Sequence, residues 1–320
     1  MAAAAQGTAT AGRSWWRSGT LLAVLGLLGA CGGRNSPEGL RSAVEAAIRN
    51  GDWPALRALV DLQGAPAMQV FALADLLPEC AEAPAGCTVE LQVLDEAWLA
   101  SFKTRVAAQQ LAVPHTPEGL LVISNERPGS TMQVRLPFGQ VDGQFKVVAA
   151  RMPAAQRDAL AATDARKAAA DALAAGLPDP ASGDQDPAWQ GTATELPAGG
   201  GEPGAAWLAL MEQRNAAIAA LDADALARLT GEWGKVVFSA TDYAGNPVPP
   251  QARKLKVTAQ AVRFVASADV LGGWSTPDRA ALIVDGKDHS GNLRRGAVFL
   301  QKTADGWFQY ADQLVEIPQD

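Results

Sequence analysis

The chain has 320 residues, with 27 Lys and Arg against 34 Asp and Glu and a formal charge of −7. That length suggests about two domains, and 48% apolar with 19% charged residues is the make-up of a globular protein. The acidic balance, with no basic cluster to reverse it locally, argues against binding nucleic acid or anionic lipid through bulk charge.

Residues 1–20 carry Arg13 and Arg17 and no acid, and the ten residues that follow, "LLAVLGLLGA", are uncharged. As a helix that run would span roughly 15 Å, about half of a bilayer core, which is too short to cross it. A positive start, a short apolar stretch and small residues at its end describe an export signal. "SWW" separates the two arginines, so a twin-arginine signal has no support. Leu28, Gly29, Ala30 and Cys31 then match the lipobox position by position, and the segment resembles the signal peptide of bacterial lipoproteins. The resemblance implies a diacylglyceryl thioether on Cys31 and cleavage just before it. The membrane becomes a partner through two acyl chains, enough for stable anchoring. Gly32, where inner-membrane retention would have Asp, implies the outer membrane, periplasmic face. Loss of residues 1–30 takes the formal charge from −7 to −9. Residues 31–37 are left as a tether.

With Cys31 assigned to lipid, Cys80 and Cys87 in "ECAEAPAGC" form an even pair in an exported chain, most simply a structural disulfide. Pro84 and Gly86 help the intervening chain turn back. No second cysteine pair or histidine lies at ligand spacing, so a metal has no support, and the spacing is not that of a redox CxxC.

Ser36, Pro37 and Glu38 resemble a helix start, and Leu40, Val44, Ala47 and Ile48 have helical spacing. Asn50-Gly51 ends that helix and Asp52 caps a second, "WPALRALVD". The arrangement returns later. "AAIRNGDWPALRALV" (46–60) and "AAIAALDADALARLT" (216–230) align without gaps at an offset of 170, identical at seven of fifteen positions. The informative matches are Ile48/Ile218, Asp52/Asp222, Leu56/Leu226 and Leu59/Leu229. Both halves also end alike. "GLLVISNE", "STMQVRLPFGQ" and "GQFKVVAARM" turn at Asp142-Gly143; "RAALIVDGKD", "LRRGAVFLQKT" and "GWFQYADQLVEI" turn at Asp305-Gly306. Apolar runs separated by Asp-Gly are hairpin signals, and helices followed by an antiparallel meander, twice over, predict a duplicated α+β domain. The first half carries a further helix, "DEAWLASFKTRVAAQQ". Residues 153–175 are a helix-forming Ala-rich run with little apolar face, and residues 176–204, rich in Pro and Gly, read as a flexible linker.

The helix pair and last strand in each half, "AAIRNGDWPALRALV" with "GQFKVVAARM" and "AAIAALDADALARLT" with "GWFQYADQLVEI", resemble the NTF2-like fold, with cystatin-like domains as neighbours in shape. The resemblance implies two tandem helix-plus-curved-antiparallel-sheet domains, 38–152 and 205–320, joined across 153–204. Such domains could also pair with each other as an internal pseudo-dimer.

Candidate chemistry is sparse. His115 lies in the Pro-bounded loop "VPHTPEG", where a solvent-facing histidine is expected. Asp285, Asp288 and His289 in "DGKDHSGN" could form an acid/base or metal cluster, but the turn-forming residues around them point to a solvated hairpin tip. No serine sits in a nucleophile elbow, and "PAGGGEPG" has no phosphate-loop context. "NPVPPQ" (246–251) reads as a join between two strands. Trp53, Trp98, Trp207 and Trp307 fall at core positions. Trp233 and Trp274, with Tyr243, are candidates to line the open end of a pocket. Trp189, an aromatic in a linker, is expected to dock on one of the domains. No catalytic residue, metal ligand or cofactor is assigned. The expectation is a non-enzymatic lipid-anchored protein binding a small ligand or an envelope protein. The alternatives are a periplasmic enzyme of isomerase or hydrolase type and a structural subunit of an envelope complex.

Overall fold

The structure, a computed structural model, describes residues 35–319 apart from 83, 128–129, 165–166, 168–176, 179–184, 187–192 and 243–244. Cys31, Trp189 and Tyr243 lie outside the described residues. The fold is mixed α+β, with two five-stranded sheets and several helices.

Helix α1 (Pro37–Asn50) starts where the Ser36 hydroxyl accepts the Gly39 N–H at 3.1 Å and ends at Gly51, whose φ of 62° is left-handed. Asp52 accepts the Ala55 N–H at 2.9 Å and opens α2 (Trp53–Ala58). Strand β1 (Val60–Asp61), helices α3 (Ala67–Ala74) and α4 (Leu76–Glu82), strand β2 (Cys87–Val93) and helix α5 (Glu96–Ala108) follow. Strands β3 (Gly119–Arg127), β4 (Ser130–Val141) and β5 (Gln144–Val148) complete the first sheet, in the order β1-β5-β4-β3-β2. Strands β2 to β5 form an antiparallel meander, and β1 runs parallel to β5. Asp142 and Gly143 turn β4 into β5 with φ of 53° and 76°, the two positive values a primed two-residue turn requires. Leu40, Val44 and Ile48 of α1, Leu56 of α2 and Leu77 of α4 pack on Leu121 and Ile123 of β3 to form the core. Cys80 and Cys87 are disulfide-bonded, tying α4 to the start of β2.

Helix α6 (Ala154–Ala161) and the short pair β6 (Leu177–Pro178) and β7 (Gln185–Asp186) lie between the halves. The second half comprises β8 (Thr194–Leu196), α7 (Gly201–Ala219), α8 (Ala223–Leu229), α9 (Gly231–Val237), α10 (Pro250–Ala261) and strands β9 (Val265–Ser275), β10 (Arg279–Asp288), β11 (Leu293–Thr303) and β12 (Gly306–Ile317). Its sheet order is β12-β11-β10-β9-β8, antiparallel throughout. Residues 194–204, read from sequence as linker, belong to this half. Thr194, Glu195 and Leu196 pair with Ser275, Trp274 and Gly273, and the Gly199 N–H donates to the Val270 carbonyl at 2.8 Å, so the sheet edge satisfies their backbone groups.

The offset of 170 holds atom by atom at the helix turn. The Asp52 N–H donates to Ala47 O and the Asp222 N–H to Ala217 O, each at 2.9 Å. Asp222 accepts the Ala225 N–H at 2.9 Å, as Asp52 does that of Ala55. Leu221, with φ 53°, stands where Gly51 does. Other features depart from the sequence reading. "NPVPPQ" joins α9 to α10 rather than two strands: Pro250 is the first residue of α10, where a missing N–H costs nothing. Strands β2 and β9 also form one edge of each meander, where sequence indicated only three strands per half.

The two halves pack on each other. Helix α10 lies against α4 and α3. Its Leu255 enters the first core while Val257 and Ala261 enter the second. Lys256 Nζ meets Glu82 at 2.9 Å. Helices α4 and α10 each precede the first strand of their meander, so elements at corresponding places in the two halves meet.

Candidate ligand-binding site

A cavity of about 540 Å³ opens in the second half between the helices and the face of its sheet that α7 covers. Trp207, Met211 and Arg214 are spaced i, i+4, i+7 on α7 and share the face turned to it. The sheet supplies Arg294 and Val298 from β11 and Gln309, Asp312, Leu314 and Glu316 from β12. A β-bulge brings Gln309 and Asp312 to one side. Phe299 pairs with Ala311 but Leu300 pairs with Gln309, so Tyr310 is an extra residue that shifts the alternation by one. Trp233 of α9 and Arg263, just after α10, stand at the rim, and Ala67 and Met68 of α3 reach in from the first half. The Ala67 N–H donates to the Glu316 carboxylate, fixing that wall.

The polar groups form a connected set. Gln309 Oε1 accepts from Trp207 Nε1 at 3.1 Å and from Arg214 Nη1 at 2.7 Å, and its amide donates to Asp312 Oδ2 at 3.2 Å. Arg214 also donates to the Leu229 carbonyl through Nη2 at 3.1 Å, at the negative end of α8. Its guanidinium is buried and, among the described residues, has no ion-pair partner. Burial pushes its pKa down to about 10, with Asp312 pulling the other way. Burial raises the Asp312 carboxyl above its ordinary value, while Arg294, Arg214, Arg263 and the Gln309 amide lower it. Arg294 is differently placed, bonded to Asp288 at 2.9 Å and Glu316 at 3.3 Å. Arg263 stacks against two rings, 5.5 Å from the Phe71 centroid and 5.4 Å from that of Trp233.

Of the sequence candidates, Trp233 lines this cavity and is 39% exposed. Trp274 does not. It pairs with Ala281 and packs with Ile283 and Phe299 on the opposite face of the sheet, where the pleat directs it. Asp285, Asp288 and His289 do not form one cluster: Asp285 pairs with Arg295, Asp288 with Arg294, and His289 with Asn215. The hairpin tip is not solvated as expected. Asn215 donates its amide to the Ala266 carbonyl at 2.7 Å, so its oxygen accepts from His289 Nε2 at 3.0 Å, tying the tip to α7. Burial lowers the His289 pKa against the pull of Asp288. His115 is likewise held rather than free, with Nε2 3.2 Å from Asp61 Oδ2, which Arg151 also meets at 2.8 Å. Trp207 is buried, but Trp53, Trp98 and Trp307 are only partly so. Among the described residues no group of three His, Cys, Asp or Glu is placed to hold a metal ion.

Arg214 and Asp312 were missed from sequence. The available signal was an arginine within the apolar i, i+4, i+7 stripe of α7. A second cavity, about 570 Å³, lies in the first half beside the stacked rings of Trp98 and Phe102, walled by Leu73, Val106, Leu136 and Pro137. It is largely apolar. Comparison with protein-family models, curated proteins and solved structures found no match for the chain.

Proposed function

We propose that this is a lipid-anchored protein of the outer membrane facing the periplasm, whose second half binds a small ligand without transforming it. The observation that carries the reading is the open cavity itself. Most sheet-and-helix interfaces are filled by side chains, whereas this one keeps about 540 Å³ with polar groups held in fixed positions around it. Convergent polar groups in a preformed, partly apolar cleft are what small-molecule sites share. The lipobox at Leu28–Cys31 supports the anchor, and no helix among the described residues is long and apolar enough to cross a membrane. The helix pair backed by a meander, repeated, supports assigning both halves to the NTF2-like or cystatin-like group. An envelope protein could occupy the same rim, where Met68 and Trp233 are exposed.

One observation favours the enzyme alternative. Asp312 is a carboxylate of raised pKa facing a cavity, the setting in which a general base operates. The binding reading stands ahead because the polar groups around Asp312 bond one another, and Glu316, the other acid of the cavity wall, is held by Arg294, the Asn292 amide and the Ala67 N–H.

A small-molecule screen by thermal shift tests the reading. Compounds are expected to raise the Tm of the wild-type chain and to lose that effect in Met211→Trp, which fills the cavity. If no compound stabilises the protein, or stabilises both forms equally, the reading is wrong.

A further inference from the structure

We propose that the cavity of the second half takes an organic monocarboxylate with a flat apolar body, its carboxylate between Arg214 and Arg263 and its body against Trp233. This rests on the ligand-binding reading above and names the chemical class of the ligand.

The case begins with which charges are already satisfied. Arg294 has two carboxylate partners, Asp288 and Glu316. Those acids are themselves saturated: Asp288 Oδ1 accepts the Ser290 and Asn292 N–H groups at 2.8 and 3.1 Å, and Glu316 accepts the Asn292 amide at 3.0 Å and the Ala67 N–H. Arg214 and Arg263 are in a different position. Arg214 is 9% exposed, and its described hydrogen-bond partners are two neutral oxygens, Leu229 O and Gln309 Oε1. A guanidinium has five N–H donors, so these partners leave part of the fork unused. Asp312 is the carboxylate whose charge reaches Arg214 and Arg263, and among the described residues it makes no ion-pair contact with either, so two guanidiniums face one acid and a further anion balances the buried charge.

Arg263 supplies the second half of the grip. Its guanidinium carbon lies over the Phe71 ring at 5.5 Å and over the Trp233 ring at 5.4 Å, and among the described residues no carboxylate pairs with it. Two ring contacts hold it without neutralising it, so it offers a preorganised fork of the kind that recognises carboxylates. Asp312 offsets one of the two positive charges of Arg214 and Arg263, so a single carboxylate balances the set and a dianion would exceed it. Trp233 and Met211 supply apolar surface next to the arginines, which suits a ring more than a bare inorganic anion.

The test is calorimetric titration of the detergent-solubilised full chain with sodium benzoate and with benzamide, its neutral counterpart of the same shape, after subtracting detergent-only heats. Benzoate is expected to bind about tenfold or more tightly than benzamide, the difference one charge-assisted contact makes. Arg263→Gln, at an exposed position where folding should survive, is expected to reduce that preference several-fold, with Arg214 still in place, and to change benzamide affinity less than benzoate affinity. Circular dichroism and Tm would check the fold of the variant. Equal binding of the two probes, or a preference undiminished in Arg263→Gln, would overturn the carboxylate grip while leaving ligand binding standing. Absence of heat from both overturns the class and withdraws support from the ligand-binding reading as well.

Discussion

Leu221 occupies a left-handed backbone position, φ 53°, that its counterpart Gly51 fills at 62°. For a residue with a β-carbon that conformation costs about 1–2 kcal/mol, and the side chain of Leu221 is 39% exposed, so it recovers little by packing. Leu221→Gly is therefore expected to stabilise the fold by about 1 kcal/mol, less the added freedom of glycine in the unfolded chain. Chemical denaturation would measure it, and a loss of stability would show that the Leu221 side chain contributes more than the strain costs. The same scale explains why the cavity was hidden in the sequence. Arg214 sits in the stripe of Trp207, Met211 and Ile218, where one expects only apolar residues. Asp312 and Gln309 differ by an odd number of residues, so simple alternation assigns them to opposite faces. The bulge at Tyr310 puts them on one.

At the scale of elements, what was legible depended on how local the determinants were. The helix pairs follow from caps a few residues long, Ser36, Asp52 and Asp222, and from leucines on one face. The last three strands of each half follow from apolar runs set off by Asp-Gly. Helix α10 was not legible because it is buried on opposite sides, Leu255 toward one core and Val257 toward the other, so its apolar positions make no single stripe. Strand β9 was obscured by Gly272 and Gly273 and by register shifts against β10. The disulfide was readable as an even pair, and its two cysteines enclose a sequence separation of 7. Replacing both with serine is expected to cost about 2–3 kcal/mol, the chain-entropy value for so short a loop. Denaturation of the double variant beside the reduced wild type would check it, with a loss below about 1 kcal/mol counting against a stabilising role.

For the whole molecule, the decisive feature is that the halves share a contact rather than hanging on a linker. Asp75, between α3 and α4, lies by Lys256 of α10 at that contact. Burial, with Glu79 and Glu82 nearby, pushes its carboxyl up to about 6, and Lys256 only partly offsets this. The folded state therefore prefers the protonated form. Stability should fall as pH rises from about 4 to about 6 and level off above, since folding then holds a charge that water would solvate better. Asp75→Asn should remove that slope. A wild-type denaturation profile that runs parallel to the variant across this range would refute the assignment. Anchoring is a separate property of the whole chain. Cys31→Ser is expected to abolish acylation and move the protein out of the membrane fraction or leave it uncleaved, and unchanged fractionation would rule out lipidation at that residue.

The location of ligand binding can be read directly from the tryptophans, because Trp207 and Trp233 line the cavity of the second half, Trp98 that of the first, and Trp274 neither. Fluorine NMR of the full chain labelled with 5-fluorotryptophan, each signal assigned by a Trp→Phe variant, would follow the titration with benzoate. The Trp207 and Trp233 resonances should move together while those of Trp98 and Trp274 stay in place. Movement confined to Trp98 or Trp274, or none at all, would contradict a ligand site in the second half.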